Sequence, residues 1–368
     1  MKLVLFADLH LDTPFTWAPP AAARRRRQAL RDTLDAIVAL VEAEGADALC
    51  CAGDLYEHER ITPDTAEFLR ATFARLDPVP VLLAPGNHDH LVPSSVYART
   101  EWSPNVHVFT GSELEPFTLA DGFTVWGAAH HVPANTPGFF ERGFRVDRGG
   151  VHVALFHGSL RSGLPFQEEG KRPHAPFDAD DIPAAGLHHA LVGHFHSVTD
   201  DPRYTYPGNP DPLTFGETGE RGAVVVEVTP DGSVTRTRHR VARTQLHDVV
   251  VEVGGCTSTH EIRERVARAV ADLRGTVRVT LVGEVEPTAE VDTAHLDDVA
   301  PHLELLVPRL GAVTVAYDIE SLAARTGTVR GRFVRDVLDA PDLDDDTRRR
   351  VLITGLRALD GRTDLEVA

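Results

Sequence analysis

Residues 1–10 read Met1-Lys2-Leu3-Val4-Leu5-Phe6-Ala7-Asp8-Leu9-His10: an apolar run of strand length that ends abruptly on an acid and an imidazole. The run is far short of the roughly 20 residues a membrane span needs, and no small-residue cleavage site follows it. We therefore expect a buried first strand rather than a leader, and a cytoplasmic protein. The same shape recurs along the chain. Asp47 to Ala52 runs into Gly53-Asp54, and Val79 to Ala84 runs into Gly86-Asn87-His88-Asp89. Val151 to Phe156 runs into His157-Gly158, and Ala190 to Val192 into Gly193-His194-Phe195-His196. Each apolar run reads as a strand buried on both faces, and each polar cluster lies just past its carboxyl end, where α/β folds build their sites.

Helical patterns alternate with these strands. Arg25 to Glu44 places Leu30, Leu34, Ile37, Val38 and Val41 on one face, and Pro63 to Leu76 is a helix opened by proline. Phe123 to Ala128 is a further strand, and Gly222 to Val241 reads as a hairpin turning at Pro230-Asp231-Gly232. The alternation predicts an α/β sandwich. A boundary is expected near Arg243-Thr244. Beyond it come a strand (Val249 to Val253), a helix (Thr259 to Leu273), a strand (Val277 to Val282) and two short strands (Leu303 to Val307, Val313 to Ala316). A charged tail follows, with helices at Val329 to Leu338 and Thr347 to Leu359. The expected division is 1–243, 244–318 and 319–368.

With 368 residues, 42% of them hydrophobic, the chain can bury a sizeable core. Its formal net charge of −18 argues against a simple polyanion-binding surface. Carboxylates that hold divalent cations, however, make a locally positive site. Lys2 and Lys171 are the only lysines, so the positive charge is carried by arginine. The block Arg24-Arg25-Arg26-Arg27 either contacts a phosphate backbone or forms the solvated start of a helix. Cys50, Cys51 and Cys256 have no metal-knuckle or disulfide spacing and read as small buried hydrophobes, with Cys50 and Cys51 on opposite faces of one strand.

Taken singly, the polar clusters are weak signals, since Gly-Asp and Asp-x-His also occur in ordinary turns. His194 and His196, at i and i+2 on extended backbone, point the same way, as metal ligands must. Oxygen and imidazole donors together suit manganese, iron or zinc better than calcium. As an ordered set, Asp8-x-His10, Gly53-Asp54, Gly86-Asn87-His88-Asp89, His157 and Gly193-His194-x-His196 resembles the signature of the calcineurin-like metallophosphoesterases over roughly residues 3 to 200. That resemblance implies a four-layer α/β/β/α sandwich, with a small α/β capping domain and a helical C-terminal tail. It implies two divalent ions, Mn2+ in the nuclease branch. One would be held by Asp8, His10, Asp54 and His196, the other by Asp54, Asn87, His157 and His194, with Asp54 as bridge. It implies His88 as the acid that stabilises developing charge or protonates the leaving oxygen, and Asp89 as the group that orients His88 by a hydrogen bond.

Within that superfamily, Phe6-Ala7-Asp8-Leu9-His10-Leu11-Asp12, Cys51-Ala52-Gly53-Asp54-Leu55-Tyr56 and Tyr206-Pro207-Gly208-Asn209-Pro210 resemble the SbcD and YhaO-like nucleases. The module after residue 244 resembles a DNA-seating capping domain, and the tail with Gly331-Arg332-Phe333-Val334 resembles helices that dock on an SbcC-like coiled-coil ATPase. The resemblance thus implies a DNA exonuclease or endonuclease of repair and recombination, working with DNA, that ATPase and a second copy of itself. A phosphoesterase for small molecules or phosphoproteins, and a weakly active scaffold subunit, are the alternatives. Where related double-strand-break nucleases place a histidine, three residues after the bridging aspartate, this chain has Glu57, with His58 beside it. Asp12 either orients a ligand or caps a turn. His130-His131 either approaches the site or packs, and His188-His189 is expected to take packing or surface roles.

Overall fold

The computed structural model describes residues 1–162 and 173–361. The chain separates into two compact units, Met1–Gln245 and Leu246–Ala368. Among the described residues no helix is long and apolar enough to cross a membrane.

The first unit runs β1 (Lys2–Phe6), α1 (Pro20–Glu44), β2 (Ala48–Cys51), α2 (Pro63–Ala74), β3 (Val81–Leu83), α3 (Val96–Arg99), β4 (Val106–Val108), β5 (Glu115–Ala120), β6 (Phe123–Gly127), β7 (Val151–His157), α4 (Asp181–Ala184), β8 (His189–Gly193), β9 (Thr199–Asp200), β10 (Tyr204–Tyr206), β11 (Gly222–Val228) and β12 (Val234–Arg240). These strands form two six-stranded sheets, ordered β12-β11-β1-β2-β3-β4 and β5-β6-β7-β8-β10-β9.

Strand periodicity explains the layering. In β1, Leu3 and Leu5 face the second sheet, where they join Val125, Val153, Leu155 and Leu191, while Val4 and Phe6 face the helices. In β2, Cys50 joins the core between the sheets and Cys51 the core beneath α1 and α2, so adjacent cysteines do point opposite ways. The five apolar residues predicted for one face of α1 are all buried there. The α/β sandwich is as expected, with one qualification. The outer face of the second sheet, carrying Ala154, Phe156, Ala190 and Val192, is covered among the described residues by the single turn α4 and irregular chain.

The arginine block divides. Arg24 and Arg25 are exposed, but Arg26 is buried, with its guanidinium over the rings of Phe15 and Trp17. Burying an arginine against aromatic faces is packing, in which its long stem and planar head both take part.

The second unit has β13 (Leu246–Glu252), α5 (Thr259–Val270), β14 (Thr276–Val285), β15 (Leu305–Val315), α6 (Ile319–Ala324), α7 (Val329–Leu338) and α8 (Asp345–Leu359). Its sheet is wholly parallel, ordered β13-β14-β15. The two strands expected at Leu303 to Val307 and Val313 to Ala316 are one continuous strand. Pro308 and Gly311 look like a break in sequence. On an edge strand, however, a proline needs no partner for the N–H it lacks, and Pro308 keeps its register opposite Val279. Asp344 caps α8, its carboxylate accepting the Thr347 N–H at 2.8 Å.

Of the two roles expected for His188-His189, His188 lies exposed and His189 takes the packing one. Its Nδ1 donates to the Pro202 carbonyl at 3.1 Å and its Nε2 bonds Thr205 Oγ1 at 2.9 Å. Burial, with Arg236 nearby, pushes the imidazole down to about 4. An unfolded histidine titrates near 6.5, so the unfolded state takes up the proton first, and stability is lost as pH falls from about 6.5 toward 4. Urea unfolding at about pH 7.5 and about pH 5 should show a smaller drop for His189→Gln than for the unaltered chain. An equal drop in both would show that His189 carries none of the acid sensitivity.

Candidate metal centre

The polar clusters converge because β1, β2 and β3 run parallel in one sheet, β7 and β8 run parallel in the other, and their carboxyl ends meet. The turns they enter are strained. Asp8, His10, Asp54 and His194 all have left-handed backbone, with φ of 56°, 51°, 51° and 108°. A non-glycine residue pays on the order of 1–3 kcal/mol for such a conformation and keeps it only where its surroundings over-determine it. Here they do. The Asp8 and His10 N–H groups donate to the Gly53 and Asp54 carbonyls, each at 3.0 Å. Both Asp8 carboxylate oxygens accept the His194 N–H at 3.1 Å, and Asp54 Oδ1 accepts the His88 N–H at 2.8 Å. Gly53 marks the closest approach: a Cβ there would lie 2.6 Å from His157 Nδ1 and 2.9 Å from Gly86 Cα.

Seven expected ligand positions are thereby gathered, in two overlapping groups. Asp8, His10 and His196 offer donor atoms that lie within 4.8 Å of one another, and so do Asp8, Asp54 and His157. His157 Nε2 in turn lies 3.2 Å from Asp54 Oδ2, 3.1 Å from Asn87 Oδ1 and 3.2 Å from His194 Nδ1. The residues fit divalent cations. Among the described residues, the buried His10 Nε2 has no hydrogen-bond partner, and it lies 3.7 Å from Asp54 Oδ2. A buried polar atom aimed at a carboxylate without bonding it is costly unless a cation completes the arrangement. The electrostatics agree. Burial pushes Asp8 above the usual carboxylate range, whereas Asp54 is held well below it because His157, His10 and His88 outweigh its burial. His157 is raised against its own burial by the Asp54 charge, so this carboxylate already draws positive charge to the centre.

The sequence did not reveal which groups hold the imidazoles. Glu57 binds two: Oε1 lies 2.8 Å from His10 Nδ1 and Oε2 lies 3.1 Å from His88 Nδ1. Despite its burial, those bonds hold Glu57 down to about 2. A carboxylate only accepts, so both rings donate from Nδ1 and turn Nε2 away from Glu57. Glu217, absent from the expected set, lies 2.7 Å from His196 Nδ1 and is likewise held near 2. Its other oxygen accepts from Asn209 Nδ2 at 2.7 Å, so the Tyr206–Pro210 segment does reach the site, through Glu217. His157 Nδ1 donates to the Ala52 carbonyl at 2.9 Å. His130 is buried behind it and bonds the His157 carbonyl at 2.7 Å, while Asp12 accepts the Thr62 N–H at 3.1 Å.

Asp89 has a different part from the one expected. Its Oδ1 accepts the N–H groups of Asp54 (3.2 Å) and Gly86 (2.6 Å), and its Oδ2 accepts Leu55 N–H (2.7 Å) and the Tyr97 hydroxyl (2.5 Å). The fully buried carboxylate ties the Asp54 turn to the Gly86 turn, and among the described residues it is Glu57 that holds His88. The reason is local: Asp89 points into the molecule toward four converging donors, while the His88 side chain is 47% exposed.

Residues 1–198 match the Calcineurin-like phosphoesterase family. The chain belongs to this family. The family's name is that of phosphoesterases, and the gathered carboxylates and imidazoles could hold metal ions, as the motifs implied. It is 30% identical over 260 residues to the uncharacterized metallophosphoesterase YhaO of Bacillus subtilis, a match covering 67% of this chain and 60% of YhaO. It is 28% identical over 305 residues to the DNA double-strand break repair protein Mre11 of Methanopyrus kandleri, covering 73% of this chain and 63% of that protein. A third relative, Mre11 of Halobacterium salinarum, is 26% identical over 310 residues, with 79% and 73% covered. The chain thus spans about six tenths of the length of the first two. The resemblance to the YhaO-like branch drawn from the motifs agrees with these relatives.

Burial and the Asp54 charge raise Asp89 to about 6, so it is ionised at mildly alkaline pH. At about pH 8, Asp89→Asn should lower stability by about 2–3 kcal/mol in denaturant unfolding, because an amide presents N–H to a site built for an anion. His88→Ala, on a half-exposed side chain, should cost less than about 1 kcal/mol. Equal losses would mean that Asp89 does not staple the two turns.

Proposed function

We propose that this chain is a metal-dependent phosphodiesterase that cuts DNA in repair and recombination, as the nuclease subunit of an SbcCD-like complex. The observation that carries the reading is the convergence of Asp8, His10, Asp54, Asn87, His157, His194 and His196 on one centre, with the half-exposed His88 beside it. The similarity to YhaO and to Mre11 proteins supports DNA as the substrate. In this reading Asp8, His10, Asp54 and His196 hold one divalent ion, and Asp54, Asn87, His157 and His194 a second, with Mn2+ as the working metal. Residues 244–318 serve as a DNA-contacting capping domain. Residues 319–368, of which 362–368 lie outside the described residues, dock an SbcC-like coiled-coil ATPase. A second copy of the chain completes the assembly, and the site of action is the DNA of the cytoplasm.

When bound, such ions supply Lewis acidity toward the phosphate oxygens and toward the attacking water. The chain's own residues do the rest. Asp54 would serve both halves of the site, with Oδ2 lying 3.7 Å from His10 Nε2 and 3.2 Å from His157 Nε2. Glu57 and Glu217 fix the tautomers of His10 and His196, so that Nε2 of each faces the centre. His88 holds a proton at the exposed edge. The bond from Glu57 is the main reason its imidazole is raised, to about 9, which makes it cationic at neutral pH. It can steady charge on the phosphate and give its proton to the leaving oxygen.

The test is cleavage of linear single- and double-stranded DNA by the purified chain with Mn2+, beside a bis-aryl phosphate. We expect both DNA and the small diester to be cut, and His88→Ala to lower kcat by about 10²–10⁴-fold. Intact DNA with cleavage of the small diester would overturn the nuclease reading in favour of a small-molecule phosphoesterase. The pH profile tests the acid. Because His88 must be protonated to act, activity should fall above about 9, and Glu57→Gln should move that limb down toward the ordinary histidine value. An unmoved limb would rule out His88 as its source.

A further inference from the structure

We propose that a cavity beside the metal centre receives a single pyrimidine base of the substrate, so that the chain favours a pyrimidine nucleotide next to the bond it cuts. This inference rests on the DNA-cleaving reading and names a part of the substrate that the reading leaves open.

The cavity follows from how the second sheet ends. β6 and β7 run parallel, with Gly127 opposite Leu155. Carried two residues further, that register sets Ala129 level with His157. Neighbouring strands lie about 4.8 Å apart, so the chain leaving β6 emerges next to His157. Among the described residues, the segment that follows encloses a cavity of about 110 Å³, with Ala129, His131, Val132, Thr136, Phe139 and Arg142 in its walls. An apolar cavity of about 150 Å³ takes up one benzene molecule. The space here suits one six-membered ring, and the fused rings of a purine exceed it.

The walls have the chemistry of a base site. His131, Phe139 and Arg142 bring an imidazole, a phenyl ring and a guanidinium to one cavity, and unpaired bases stack on such flat groups. Phe139 is buried and meets the rings of His130 and Phe156 edge-on, each at 5.8 Å, so its orientation is set before any ligand arrives. Arg142 is held by Glu113 at 2.7 Å. Val132 stays 45% exposed, an apolar group that a bound base would cover.

Thr136 adds a polar preference. Its Oγ1 lies 2.8 Å from His130 Nδ1, and His130 Nε2 lies 2.7 Å from the His157 carbonyl. A carbonyl only accepts, so Nε2 carries the proton. His130 is fully buried, and burial keeps an imidazole neutral, so Nδ1 has no proton and accepts that of the Thr136 hydroxyl. Thr136 then has only lone pairs left to offer. They suit an N–H on the edge of a base, which thymine presents at N3 and cytosine at N4. The same two bonds tie the cavity wall to the backbone of His157, so base and phosphate would be held by one connected set of groups.

The test uses the full chain with Mn2+ and p-nitrophenyl phosphodiesters that share a leaving group and differ in the other ester: thymidine or deoxyadenosine, each linked through its 5′ or 3′ oxygen, and methyl. We expect kcat/KM for the better thymidine ester to exceed that of the methyl ester by about 10-fold or more, and that of the matching deoxyadenosine ester by about 5-fold or more. Val132→Phe, which brings a ring of the protein to the cavity, should carry the thymidine-to-methyl ratio most of the way to one. A ratio taken within one variant is unmoved by damage at the metal centre, which lowers both esters alike. If Val132→Phe does not fold, Ser112→Trp, at an exposed wall position, makes the same test. Equal rates for thymidine and methyl esters, or a ratio unchanged by the folded variant, would overturn the cavity's role even if linear DNA is cut. A deoxyadenosine ester cut as well as the thymidine ester would overturn the pyrimidine assignment. DNA left intact while the thymidine preference holds would overturn the DNA reading and keep the cavity.

Discussion

Asp8 and Asp54 bring two carboxylates into a place that water scarcely reaches: the residues are 0% and 2% exposed. Charges of one sign are costly there, and burial of each adds to the cost. The rest of the site answers that constraint. Imidazoles from four loops surround the pair. The backbone N–H of His88 bonds Asp54 Oδ1, and that of His194 bonds both oxygens of Asp8. Left-handed backbone at Asp8, His10, Asp54 and His194 turns the side chains inward at the ends of their strands. Two facing sheets then hold the loops in register, and divalent cations would add to the positive charge that His157 and His88 already bring.

The parts legible in sequence were those whose cause is local. An apolar run followed by Asp-x-His or Gly-Asp is written in consecutive residues, as is the i, i+2 pairing of His194 and His196. The faces of α1 and the opposed side chains of Cys50 and Cys51 follow from periodicity alone. What escaped was set by contacts between distant residues. Glu57 meets His10 across 47 positions, and Glu217 meets His196 across 21, with no motif linking either pair. Asp89 stands next to His88, which suggested a partnership. Its side chain instead points to Asp54, Leu55, Gly86 and Tyr97. Pro308 and Gly311 suggested a break in β15, and the edge position of that strand removed the need for one.

The gathered side chains divide the work between interior and surface. The buried ones position charge, and their hydrogen bonds reach back into the sheets through the Ala52 carbonyl, the His157 carbonyl and the Asn209 side chain. His88, at the exposed edge, shares Glu57 with the buried His10, so under the proposed roles the proton donor and one half of the metal site would be aligned by one carboxylate. A phosphodiester approaching from solvent would meet the proton donor and the charged centre together. That geometry suits in-line displacement with both attacking and leaving oxygens attended.

The most direct measurement is anomalous diffraction at the manganese edge from crystals of the chain equilibrated with Mn2+. The account predicts two peaks about 3.5–4 Å apart, one on either side of the Asp54 carboxylate. One lies against Asp8, His10 and His196, the other against Asn87, His157 and His194. A lone peak at saturating metal, or peaks away from Asp54, would contradict it.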